Sequence, residues 1–317
     1  MRSFKLTVVM YHYVRDPGDR CAGAAGIPGL GVAQFDAHVA RLAREHDLIS
    51  WPDLRAFLVD DRPLPASACL LTFDDGVLDH YFNVFPILRA RGVSGLFFAL
   101  ARPDDRALTL AHTLHFLLPV LTTPGLREAV WGRLTAAQQA RFQLADRRYQ
   151  TQFQTGAPDD PTNVLKAVLQ REFAAEAAPL LRELFARHVG DEAAAARDYY
   201  LSRAQIAAMA AGGMHFGGHS RTHPWFDWIS SAAQAEEIAA SAAWLREVEA
   251  GPWAFAYPYG GFSAQSPELL RAHGFAAAFT TRAQAAHLEP YFIGRFDGEE
   301  LVEAGRVAEL RRESSDA

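Results

Sequence analysis

The sequence holds 317 residues, half of them apolar and 21% charged, with a formal net charge of −6. That length suits one large α/β domain spanning 1–317 with a substantial core, and the composition is that of a folded chain rather than a disordered one. Negative charge without a basic block argues against a nucleic-acid partner, and Cys21 and Cys69, lacking CxxC spacing, give neither a disulfide framework nor a thiolate zinc site.

From Met1 the chain runs straight into a strand. No N-terminal apolar stretch is long enough for a secretory signal and no segment reaches transmembrane length, so a cytoplasmic protein is expected. Leu6–Tyr11 reads as the first strand, with His12 at its end; a lone histidine there is more often structural than catalytic. Residues 15–31, rich in Gly, Pro and Asp, read as a loop. Phe35–His46 is an amphipathic helix with Phe35, Val39 and Leu42 on one face, and Trp51-Pro52-Asp53-Leu54 opens a short second one. Ala68–Leu71 is a short apolar run that reads as a buried strand. It leads into Thr72-Phe73-Asp74-Asp75-Gly76, and Val77–Arg91 then has helical spacing up to a stop at Gly92. Gly92–Leu100 returns as a strand, with Phe97 and Phe98 in the core.

Two adjacent carboxylates thus stand at the carboxyl end of a strand, where helix-covered sheets bind ligands. They repel each other, so a cation or a proton must accompany them. An isolated Asp-Asp-Gly is ordinarily a solvated turn. This one gains its weight from a histidine cluster well downstream.

Residues 102–200 change character: Ala, Leu, Arg and Gln dominate, and Pro161–Val189 has helical apolar spacing. The stretch reads as a mostly helical insertion within the domain, for partner contact, substrate enclosure or bulk. His112 and His115, beside Leu114 and Phe116, read as satisfied histidines of an apolar helix rather than as metal ligands. Ser202–Ala211 is a helix and Met214–Phe216 a strand, followed by His219-Ser220-Arg221-Thr222-His223. Two histidines four apart meet one metal ion from a single turn or a tight loop, and with a carboxylate they form a catalytic set with open positions. HxxxH alone is common by chance; behind a strand-end Asp pair it becomes the leading reading. Trp225 and Trp228 serve equally as sugar-stacking rings or as barrel closure. Ser230–Val248 is a long helix, Trp253–Ala256 a strand ending at Tyr257-Pro258-Tyr259-Gly260, and Gly294-Arg295-Phe296-Asp297 a late strand.

The two motifs in this order, TFDDG then HSRTH, resemble the polysaccharide deacetylase family, or NodB-homology domain. MYHYV at 10–14, FPILRARGVSGLFF at 85–98, AYPYG at 256–260 and GRFD at 294–297 also resemble one branch of it. The resemblance covers about two thirds of the chain, leaving out the middle segment. It implies an α/β fold, an irregular (β/α) barrel carrying the helical insertion at 102–200. It implies a metal-dependent hydrolase, usually a zinc enzyme, that removes N-acetyl groups from amino sugars. Residue by residue, Asp74 matches the catalytic base, and Asp75, His219 and His223 match the metal ligands. Met10-Tyr11-His12 resembles the form found in the circularly permuted branch that includes poly-N-acetylglucosamine deacetylases, which makes His12 the candidate general acid. In the family's Arg-x-Pro-Tyr motif the arginine pairs with the base; here Ala256 holds its position. Tyr259 keeps its place as a backbone oxyanion donor, and Arg295 is the candidate replacement for the arginine.

The expected partner is an N-acetylated sugar or glycan intermediate of surface polysaccharide biosynthesis. Two alternatives remain open: a cyclic imide or ureide amidohydrolase of the same fold, and a glycan-binding module without turnover.

Overall fold

The computed structural model describes residues 5–19, 27–102, 107–153, 161–282 and 288–303. Residues 20–26 of the expected loop, Cys21 among them, fall outside these. All strand pairings are parallel, in the order β7-β6-β5-β4-β3-β1-β8 with β2 also on β3. The strands are β1 (Lys5–Tyr11), β2 (Asp47–Ile49), β3 (Ser67–Phe73), β4 (Leu96–Ala99), β5 (His215–Gly218), β6 (Trp253–Ala256), β7 (Phe275–Phe279) and β8 (Phe296–Asp297). One segment joins the two ends of the sheet: Ile293 bridges to Phe279 of β7, and Phe296 pairs with Val9 of β1. The curl is therefore an irregular (β/α) barrel, as the resemblance implies.

Parallel strands are buried on both faces, which explains why Ala68–Leu71 reads as one continuous apolar run. In β3, Ala68 and Leu70 join Phe98, Ala256 and Phe279 in one cluster, which Trp51 and Leu54 of helix α2 (Trp51–Asp60) complete. Cys69, Leu71 and Phe73 point the other way, against Phe35, Val39 and Leu42 of helix α1 (Val32–Glu45). Phe73 stacks on both Tyr11 and Phe97. A one-residue slip of β3 would exchange these faces and move Asp74, so packing fixes the site's register.

The span from Val77 to Arg91 departs from the expected single helix. Val77 is bridged to Tyr200, Leu78 N–H donates to the Tyr199 carbonyl, and Leu201 N–H to that of Gly76. Those bonds hold 76–78 out of a helix, which starts only at a π-turn over His80–Val84 and continues as α3 (Phe85–Arg91). Gly92 closes it in the left-handed conformation, as its sequence position predicts.

Between β4 and β5 run α4 (Leu110–Trp131), α5 (Ala136–Phe153), α6 (Pro161–Ala167), α7 (Ala174–His188) and α8 (Glu192–Arg197). A π-turn at Val168–Glu172 interrupts the periodicity of 161–189. These helices bury a cluster of their own, built on Leu117, Phe142, Leu169 and Phe185. Tyr13, Val77 and Leu100 from the strand-end loops enter that cluster and tie it to the barrel. Helices α9 (Arg203–Ala211), α10 (Ser231–Leu245), α11 (Ser266–Ala272) and α12 (Gly298–Glu303) complete the chain. Ser202 caps α9 and Ser230 caps α10 through their hydroxyls, close to the starts read from the sequence. Among the described residues no helix is long and apolar enough to cross a membrane.

Candidate active site

Because every strand runs the same way, the loops after β1, β3, β5, β6 and β7 open on one end of the barrel, where such folds bind ligands. They bring together His12, Asp74, Asp75, His219, His223, Tyr259 and Thr281 around a cavity of about 360 Å³. Among the described residues six non-glycine positions have positive φ, and four of them lie here: Asp75, Ser220, His223 and Tyr259. Strained backbone of this kind gathers where function over-determines the conformation. Next to Asp75, Gly76 has φ +65°, and a Cβ there would come within 2.8 Å of the Ala99 Cβ.

Asp75 and the two histidines form a tight triangle. Asp75 Oδ1 is 3.4 Å from His219 Nε2 and 3.3 Å from His223 Nε2, and the two nitrogens are 3.2 Å apart. The loop is built for this. Glu237 accepts the N–H groups of Arg221 and Thr222, and Ser220 Oγ accepts that of His223. His219 Nδ1–H donates to the Ala256 carbonyl at 2.8 Å, which leaves the Nε2 lone pair facing Asp75. Burial drives His223 down to about 4 and pulls His219 the same way, but at His219 the adjacent carboxylates of Asp75 and Asp74 outweigh it and raise the pKa.

The donor set fits a divalent cation on observations of this structure. Asp75 Oδ1 is buried without a hydrogen-bond partner although its carboxylate lies among three imidazoles. One oxygen and two imidazole nitrogens within 4.8 Å of one another are the ligands zinc takes at a catalytic site, with room for a further one. Burial works against the charge of Asp75, yet the surrounding imidazoles, His112 first, hold its carboxyl well below the usual range.

Asp74 faces a different partner. Arg295 Nη1 donates to Oδ1 at 2.6 Å and Nη2 to Oδ2 at 2.7 Å, a bidentate pair. The guanidinium is buried and fixed from behind: Nε donates to the Thr280 carbonyl and Nη1 also to Thr72 Oγ1. Despite burial, Arg295 and then His219 lower the Asp74 carboxyl. The structure thus sets Arg295 against Asp74, while Ala256 lies in strand β6. His12, its side chain 38% exposed, puts Nε2 3.9 Å from Asp74 Oδ2, and its own carbonyl contacts His80 Nε2 at 2.9 Å.

The Tyr259 ring stacks on Trp225 at 4.0 Å between centroids and meets His223 edge-on at 4.5 Å. Arg171 also lies over the Trp225 ring, 3.7 Å from its centroid. Trp225 thus belongs to the site wall, whereas Trp228 is 45% exposed. The neighbouring cavity, about 660 Å³, shares Gln170, His223, Trp225 and Tyr259 with the first.

His112 is the residue that the sequence reading left out. It is satisfied, as expected, by Thr109 and Tyr200, yet its Nε2 also lies 3.2 Å from Asp75 Oδ2. The available signal was the Thr-x-x-His spacing of a capped helix start, which carries no information about a carboxylate 37 positions upstream.

Comparison with known proteins bears on the fold. The family model described as polysaccharide deacetylase matches residues 157–278, a span that includes HSRTH and the Tyr259 loop but not the Asp pair. No curated protein matches the sequence. Among solved structures, IcaB from Ammonifex degensii aligns with a TM-score of 0.59 at 19% identity, covering 97% of this chain and 98% of that one. The Streptococcus pyogenes deacetylase PplD in complex with acetate aligns at 0.56 and 15%, covering 95% and 98%. A de-N-acetylase from Aggregatibacter actinomycetemcomitans aligns at 0.53 and 14%, covering 92% and 94%. The family model thus matches 157–278, and the fold is shared along almost the whole chain with these solved deacetylase structures, as the resemblance read from the motifs implies for the fold.

Proposed function

We propose that this chain is a metal-dependent hydrolase that removes an N-acetyl, or related N-acyl, group from an amino sugar in surface polysaccharide biosynthesis. One observation carries the reading. An unpartnered carboxylate oxygen of Asp75 faces two imidazoles at 3.3 and 3.4 Å, beside a second carboxylate held by a buried arginine.

In this reading Asp75, His219 and His223 hold the ion, with zinc as the metal their donor set suits best. The chemistry a divalent ion supplies at such a set is to acidify water and to polarise the amide carbonyl. Asp74 takes the proton of the attacking water, and Arg295 keeps its carboxylate charged and aimed. Fixing the base in one orientation avoids reorganisation during the reaction. The Tyr259 backbone N–H serves as oxyanion donor, a contribution whose loss typically costs about 2.7–4 kcal/mol. His12, on the exposed side of Asp74, gives a proton to the leaving amine, which would otherwise depart as a poor anion.

The test is acetate release from N-acetylglucosamine oligomers, and from nucleotide- and lipid-linked N-acetyl amino sugars, with the protein stripped by chelator and then reloaded with zinc. Release restored by zinc supports the proposal. Opening of a cyclic ureide without acetate release would replace it with a ring amidohydrolase, and saturable glycan binding with no turnover would replace it with a binding module.

A further inference from the structure

We infer that His112, carried on the first turn of α4, is a positioning residue of the metal centre: it donates to one oxygen of Asp75 and so reserves the other for the ion. The inference rests on the proposed metal site and assigns the segment 102–200 a task within it.

The hydrogen bonds around the ring settle where its proton lies. Nδ1 is 2.6 Å from the Tyr200 hydroxyl and 2.9 Å from Thr109 Oγ1. Each of those oxygens already accepts a backbone N–H, Tyr200 that of Thr109 and Thr109 that of His112. Each keeps its own proton for donation, and Nδ1, with its single lone pair, accepts from them, chiefly from the nearer Tyr200 hydroxyl. The ring proton then sits on Nε2, pointing at Asp75 Oδ2 3.2 Å away. A protonated Nε2 has no lone pair for a metal, so His112 is a hydrogen-bond donor and not a fourth ligand.

The consequence falls on Asp75. Its Oδ2 is engaged by His112, while Oδ1 is buried, unpartnered and turned towards His219 and His223. The carboxylate is thereby presented through one oxygen, in one orientation. Hydrogen-bonded partners of this kind behind metal ligands typically contribute about 10–100-fold in metal affinity. The support reaches across the chain, because Thr109 caps the start of α4 while Tyr200 follows α8 and is bridged to Val77, two residues from Asp75. Both ends of the helical segment thus close on the one imidazole, among the described residues, that touches the Asp75 carboxylate from outside the HSRTH loop. His112, Thr109 and Tyr200 are all buried, which fits a fixed donor rather than a substrate contact.

The experiment measures zinc affinity, by competition with a chromogenic chelator, for the full chain and its His112→Ala, His112→Gln and Tyr200→Phe variants. The melting temperature of each zinc-free form reports folding separately. His112→Ala is expected to weaken zinc binding by about 10–100-fold. His112→Gln, whose amide N–H can replace the donor, recovers most of that loss, and Tyr200→Phe shows a smaller loss. Should His112→Ala fail to fold, the order wild type, Gln, Phe decides alone. Zinc affinity in His112→Ala within twofold of wild type, or a Gln variant no better than Ala, overturns the inference while leaving the metal site standing. A wild-type chain that binds no zinc overturns the site reading, and this inference falls with it.

Discussion

Arg295 holds Asp74 by both carboxylate oxygens, at 2.6 and 2.7 Å, from a position 221 residues further along the chain. Neither side chain reaches solvent to any extent, so each neutralises a charge the other could not carry alone. Removing one partner of such a pair strands the other's charge, at about 3–5 kcal/mol. Arg295→Ala is therefore expected to lose about that much stability in denaturant unfolding and to abolish turnover. Arg295→Lys gives up the two-point grip and should also lose activity. A lysine variant with wild-type rate would show that charge alone, not geometry, is needed.

Asp74 and Asp75 are adjacent in sequence, and the proposed mechanism gives them different roles. Asp74→Asn should lower kcat by about 10²–10⁴ while bound zinc stays at wild-type level, because general-base catalysis is lost and the ligands are not. Asp75→Asn and His219→Ala should lose the metal itself. Elemental analysis of purified variants beside acetate release makes the distinction; loss of zinc in Asp74→Asn would contradict the division. His12→Asn should likewise reduce kcat with metal retained.

Gly76 has φ +65° and faces Ala99, so Gly76→Ala combines a left-handed alanine with a 2.8 Å contact. The backbone cost alone is about 1–2 kcal/mol. Because Asp75 precedes it, also at positive φ, relaxation is expected to displace the metal carboxylate. Thermal unfolding and zinc titration should fall together, and a variant with lower stability but unchanged zinc affinity would separate the turn from the site.

His38 and His80 are pushed down to about 4 by burial, against about 6.5 for an unperturbed histidine. As pH falls below about 6.5 the unfolded chain takes up these protons while the folded chain refuses them until about 4. Their contribution to stability is thus full above that upper value and lost on the way down, at up to about 1.4 kcal/mol per histidine per pH unit. Urea unfolding of wild type and His38→Gln between pH 7.5 and 4.5 should show a shallower loss in the variant. Equal slopes would mean that His38 protonates in the fold as easily as outside it.

Much of the site was legible because its residues occupy short motifs at strand ends, where apolar runs announce the strand and the polar residue after it has only one place to go. Asp74, Asp75, His219 and His223 are all of this kind. Arg295 was legible only through the family resemblance, which implies an arginine beside the base where this sequence has Ala256. His112 was not, because its meaning lies in a hydroxyl 88 positions away and a carboxylate on another element, and an apolar helix reads the same with or without them. The helix expected from Val77 failed for a similar reason: residues 199–201 hold 76–78 in bonds that no local periodicity encodes. β2, three residues long, is too short to leave a pattern.

Whether Asp75 and two imidazoles some 145 positions later share one ion can be seen by anomalous scattering from a zinc-loaded crystal. A single strong peak is expected about 2.0–2.2 Å from Asp75 Oδ1, His219 Nε2 and His223 Nε2. A zinc-loaded crystal with no peak between these atoms, or with the ion bound elsewhere, would contradict it.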